Sequence, residues 1–133
     1  MISESEIIQK VKKDFSFISD RCFAVLIFGS YARNEANYYS DIDVCIVLKD
    51  RKIEPGILYE DIYQNVRMDI YDVVIFEGCS EDLKYDISKD HIIVYCREPE
   101  ELENYLKPSP DFFPIKKTKK ELLDELRSIV NAA

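Results

Sequence analysis

Apolar positions along this chain alternate between helical spacing and short strand-like runs. Over residues 3–19, Ile7, Ile8, Val11, Phe15 and Ile18 fall on one helical face, and Ser3 with Glu6 has the form of a capping box. Cys22 to Phe28 is an unbroken apolar run, short and aromatic-rich, which predicts a buried strand ending abruptly at Gly29-Ser30. A helical stretch is expected from Tyr31 to about Ala36. From Asp41 to Leu48 the period changes to two: Ile42, Val44, Ile46 and Leu48 face one way, and Asp41, Asp43, Cys45 and Val47 the other.

The second half repeats the alternation. Pro55 opens a helix through Val66, with Leu58, Ile62 and Val66 in register, and Arg67 to Phe76 reads as a third strand carrying Asp69 and Asp72. Ser80 caps a short helix holding Leu83 and Ile87, His91 to Cys96 forms a fourth strand, and Glu98-Pro99 starts a helix containing Leu102, Tyr105 and Leu106. Pro108, Pro110 and Pro114 make a linker of Lys107 to Ile115, after which Leu122, Leu126, Ile129 and Val130 line one face of a closing helix. The expected fold is α/β (α+β), a small mixed β-sheet flanked by helices. Residues 1–106 form the domain, and 107–133 the linker and an amphipathic helix.

Composition narrows the picture modestly. With 133 residues there is room for one domain and a real core. The four cysteines are scattered without a Cys-x-x-Cys pair, and His91 is the one histidine, so a zinc site has few ligands to draw on. His91 begins a strand without a recognisable partner, and a structural or surface role is expected of it. The net charge of −8 disfavours tracking along a nucleic-acid backbone and suits a protein that gathers cations or docks on a basic partner. No apolar run reaches the roughly 18 residues that span a bilayer, and the N-terminus lacks a secretory signal, so the cytoplasm is the expected location.

The chemistry concentrates between residues 28 and 44. Gly29 stands where a buried strand must turn sharply, and Ser30 follows at a helix start, where unpaired N–H groups favour an anion. Asp41 and Asp43 share one face of the next strand. Two half-buried carboxylates side by side repel one another and lose hydration, and a divalent cation resolves both penalties. Magnesium takes one or two carboxylates plus substrate phosphates. A third carboxylate is expected on a neighbouring strand; Asp69 is preferred because Ile70 and Val74 then stay on the apolar side, with Asp72 the alternative.

Gly29-Ser30, ten residues, then Asp41-Ile42-Asp43 resembles the signature of the DNA-polymerase-beta-like nucleotidyltransferase superfamily. The longer run from Phe28-Gly29-Ser30-Tyr31-Ala32-Arg33 to Ser40-Asp41-Ile42-Asp43-Val44 is most similar to its minimal nucleotidyltransferase branch. One departure is Asn34, where a glycine commonly follows the arginine. The resemblance implies Asp41, Asp43 and Asp69 as catalytic and magnesium-binding residues, holding two ions. It implies Gly29, Ser30 and Arg33 around the phosphates of an ATP donor. It also implies AMP transfer to a tyrosine of a HEPN-type toxin partner, with this chain as the antitoxin. The alternatives are a contact-only binding module or a stand-alone enzyme on a small alcohol. Tyr38 and Tyr39, just before Ser40-Asp41, could stack on a base or edge the sheet.

Overall fold

The computed structural model describes residues 3–37 and 39–112. Ser3 caps the first helix, α1 (Glu4–Asp14), by accepting the Glu6 N–H at 3.2 Å, as the capping-box pattern predicts. A 3-10 turn (Ser16–Ile18) leads into β1 (Ala24–Phe28), all five residues of which are buried. A short helix α2 (Gly29–Ala32) follows, then β2 (Ile42–Val47), α3 (Pro55–Asn65), β3 (Tyr71–Ile75), α4 (Glu81–Lys89), β4 (Ile92–Cys96) and α5 (Pro99–Leu106). Glu54 caps α3 by accepting from the Gly56 and Ile57 N–H groups, and Ser80 caps α4 by accepting from Leu83.

The sheet runs β3-β2-β1-β4. β1 is antiparallel to both neighbours, whereas β2 and β3 run parallel, joined by the α3 crossover. The mixed sheet expected from the sequence is therefore present, and alternation sorts its residues into two cores. On one face Val25, Ile27, Val44, Ile46, Val73 and Ile75 pack beneath α1 and α3, through Ile7, Val11, Leu58 and Ile62. On the other, Ala24, Leu26, Phe28, Cys45 and Val47 pack beneath α4 and α5, through Ile87, Leu102 and Leu106. At about 25 cal/mol per Å² of apolar area, these two layers dominate the stabilisation.

Several elements are shorter than the sequence pattern suggests: α1 gives way to the 3-10 turn after Asp14, β1 starts at Ala24, α3 stops before the extended Val66, and two others bear on the sheet end at Gly29. The strand expected from Arg67 begins only at Tyr71, because the Ile70 N–H turns back to the Arg67 carbonyl at 3.2 Å. The second helix stops at Ala32, and Asn34 adopts a left-handed conformation with φ 58°. Glycine suits that conformation best and asparagine is among the next most tolerant, which accounts physically for the asparagine at this position. The closing helix and Tyr38 lie outside the described residues. Among the described residues, no helix is long and apolar enough to cross a membrane.

At the sheet end away from Gly29, one carboxylate ties three elements together. Glu77 accepts from the N–H groups of Leu48 and Lys49, at 3.0 and 2.9 Å, and from the Tyr105 hydroxyl of α5 at 2.6 Å. Lys49 itself has φ 54°, so the chain turns there under constraint. Glu77→Ala strands three part-buried donors, and should cost about 2–3 kcal/mol in urea unfolding without changing the m-value.

Candidate active site

The turn from β1 into α2 brings the chain's acidic residues to one end of the sheet. Gly29 has φ +69°, and a Cβ built on it would overlap the Asp43 carboxylate. Both the backbone conformation and the space therefore demand glycine. Asp43 lies opposite Phe28 in the β1–β2 ladder and opposite Asp72 in the β2–β3 ladder. Paired residues of adjacent strands point to the same face, so Asp43 and Asp72 stand side by side. Asp41, exposed just ahead of β2, is the third member of the cluster.

The electrostatics record this crowding. Partial burial, then the charges of Asp72 and Asp41, push the Asp43 carboxyl up to about 6, and Arg33 only partly opposes them. Arg33 also pairs with Glu35 at 3.1 Å on the exposed side of the loop. That loop is held by Ser40, whose hydroxyl accepts the Asn37 N–H at 2.9 Å, while Asn37 accepts from the Tyr39 N–H at 2.9 Å. Tyr39 is 89% exposed at its tip.

Asp69, the expected third carboxylate, is not brought to this cluster. It sits in the turn before β3, paired with Arg67 at 2.6 and 3.2 Å, and the guanidinium holds its carboxyl below the usual range. Asp69 precedes β3, which starts later than the sequence pattern predicts, and so is not in the β2–β3 ladder. Tyr71, Val73 and Ile75 are the buried positions of β3, and Asp72 with Val74 takes the opposite face. That alternation of large apolar residues was the available signal. Asp72 replaces Asp69 as the neighbour of Asp43.

The donor set is all oxygen, which fits a hard divalent cation such as magnesium. Among the described residues, no three acidic, histidine or cysteine side chains are gathered tightly enough to enclose an ion by themselves. Magnesium in phosphoryl-transfer sites takes part of its coordination from substrate phosphates. A hollow of about 520 Å³, lined by Tyr59, Val74, Cys79 and Leu83 among others, shares no residue with the acidic cluster. Charge and backbone geometry, rather than concavity, mark the site.

A mixed sheet whose central strand ends in a Gly-Ser turn against paired aspartates defines a protein of the nucleotidyltransferase class. The family model described as polymerase beta, nucleotidyltransferase, matches residues 6–100, and the chain belongs to that family. Two candidate protein adenylyltransferases of Methanocaldococcus jannaschii are similar to it. MJ1547 is 36% identical over 87 residues, covering 65% of this chain and 66% of that protein. MJ0141 is 48% identical over 46 residues, covering 34% and 46%. The chain thus spans less than two thirds of the length of either relative.

Solved structures share the fold. A chain of a toxin–antitoxin crystal structure with AMP-PNP superposes with a TM-score of 0.55 at 16% identity, covering 98% of both chains. A chain of the tri-AMPylated Shewanella oneidensis HEPN toxin in complex with MNT antitoxin gives 0.50 at 14% identity, covering 94% of this chain and 93% of that one.

Two outcomes follow from the geometry. Gly29→Ala should lose at least about 2 kcal/mol by chemical denaturation, combining left-handed strain with displacement of Asp43. For Asp43, a folded-state carboxyl near 6 against an ordinary value near 4 means the native state binds the extra proton. Its ionisation therefore costs nothing below pH 4, and the penalty grows as pH rises through about 6. With solvent screening the penalty is about 1 kcal/mol. In divalent-free buffer, Asp43→Asn should melt higher than wild type at pH 8, and the two should converge near pH 4.

Proposed function

We propose that this chain transfers AMP from ATP to a hydroxyl, that of a tyrosine on a HEPN-type protein partner, and serves as the antitoxin of that pair. The observation that carries the reading is the placement of Asp43 against Asp72, behind a glycine with no room for a side chain. The adenylyltransferase relatives support the reaction type, and the toxin–antitoxin structures that share the fold support the kind of partner.

In this reading the ATP phosphates lie over Gly29 and Ser30, whose backbone N–H groups are directed at them. Asp41, Asp43 and Asp72 would hold magnesium, one or two ions, which when bound supplies neutralising charge for the phosphate oxygens and the departing pyrophosphate. Asp43 is prepared for this role, because a cation can take the place of the proton that its crowded carboxyl otherwise tends to keep. Asp72 accepts the proton of the incoming hydroxyl. The hydroxyl oxygen bonds to the α-phosphorus as the bridge to the β-phosphate breaks. Arg33, at present on Glu35, is close enough to influence Asp43 and adds positive charge beside the phosphates.

The test mixes the protein with magnesium, α-labelled ATP and the product of the adjacent gene. Label should appear on a partner tyrosine. Asp72→Asn and Asp43→Asn should each lower transfer by about 100-fold or more, while Asp69→Asn stays within about threefold of wild type. Full activity in Asp72→Asn, or collapse in Asp69→Asn, would reverse the choice of third carboxylate. Label on a small alcohol instead of the partner would overturn the proposed acceptor.

A further inference from the structure

Histidine 91 lies on the other flank of the Gly29 turn from the aspartates. In the β1–β4 ladder Leu26 pairs with Ile93 and Ile27 with Ile92, so the next step places His91 beside Phe28. Ile92 packs with the α1–α3 core, and alternation therefore puts His91 on the opposite face, the face of Phe28, Asp43 and Asp72. One row across the sheet end reads His91, Phe28, Asp43, Asp72. With strands about 5 Å apart, the imidazole is based roughly 10 Å from the Asp43 strand, and the Gly29-Ser30 turn leaves the strand between them.

The ring is also fixed in its tautomer. Nδ1 lies 2.7 Å from the carbonyl oxygen of Ile87, in α4. A carbonyl oxygen only accepts, so Nδ1 carries the proton and donates. That leaves Nε2 as the nitrogen available to an external partner, on a ring oriented by its other nitrogen. The side chain is half-buried, in the short connection between α4 and β4, and is tied to α4 through the Ile87 carbonyl.

We propose that His91 is a phosphate-tail contact, binding the β- and γ-phosphates of the nucleotide from the side remote from the aspartates. This rests on the nucleotide reading above and extends it. The carboxylates and their cation attend one side of the triphosphate over Gly29-Ser30. The opposite side is next to β4, where His91 presents Nε2 at the same sheet end. Nδ1 donates to the Ile87 carbonyl in the neutral and the cationic ring alike, and in the cationic ring Nε2–H donates to a phosphate oxygen and offsets charge that accumulates on pyrophosphate as it leaves.

Calorimetric titration of the purified chain with Mg-ATP and, separately, with AMP tests this, using two substitutions that divide the two nitrogens. His91→Asn keeps a donor for the Ile87 carbonyl and removes the Nε2 position; His91→Gln restores a polar group near Nε2. The expected result is a five- to tenfold weaker Mg-ATP affinity in His91→Asn, of the order of one charge-assisted hydrogen bond. AMP affinity and Tm should be unchanged, and His91→Gln, a neutral donor, should recover about half of the Mg-ATP loss in free-energy terms. Equal Mg-ATP affinity in His91→Asn and wild type would overturn the proposal. So would a parallel loss for ATP and AMP with a lowered Tm, which would mark His91 as a purely structural anchor of α4. Failure of the wild-type chain to bind Mg-ATP would overturn both this inference and the nucleotide reading beneath it.

Discussion

Like charge held at close quarters is the constraint around which this molecule is organised. Asp43 and Asp72 are neighbours in a parallel ladder, with Asp41 beside them, and burial keeps water from screening Asp43 fully. Left to itself, such a cluster would push the strands apart or rotate the side chains away. It persists because the sheet beneath is apolar on both faces and covered on both, by α1 and α3 on one side and α4 and α5 on the other. Strain of this kind is sustained at functional sites by well-packed surroundings. The opposite end of the sheet shows the contrast: there Glu77 is surrounded by three donors and acts as a fastener.

The glycine turn belongs to the same balance. Gly29 admits the Asp43 carboxylate where any side chain would collide with it, and its positive φ turns the chain directly into α2. Glycine, aspartate and the two-strand register are therefore one unit of geometry. The left-handed Asn34 four residues after Ser30 closes the short helix and starts the loop that returns to Asp41. Substituting asparagine for glycine there preserves the turn because its backbone tolerates the same region.

Much of the architecture was legible from apolar periodicity. β1 and β2 are fully or nearly fully apolar on their buried faces, and the capping residues Ser3 and Ser80 mark their helices correctly. Alternation predicts Asp41 and Asp43 on one face; Asp41 lies just ahead of β2, and its charge bears on Asp43. Asp72 could not be secured in the same way. Arg67, Met68 and Ile70 mimic the entry to a strand, yet the hydrogen bond closing a turn over Arg67–Ile70 delays β3 until Tyr71. A shift in where a strand begins changes which residues are opposite one another, and no local pattern reports the register between β2 and β3. The position of His91 in the row likewise needs the β1–β4 ladder and its bulge.

Among the described residues β3 is an edge strand, with β2 its one neighbour in the sheet. The acids that face each other thus join a central strand to an edge strand, across a chain separation that includes all of α3. Anything that binds Asp43 and Asp72 together acts as a clasp on that edge, closing a long loop without a covalent bond. Occupancy of the site and the cohesion of the sheet margin are then two readings of one equilibrium, and the margin becomes the place where the loaded and unloaded proteins differ most in their exchange with solvent.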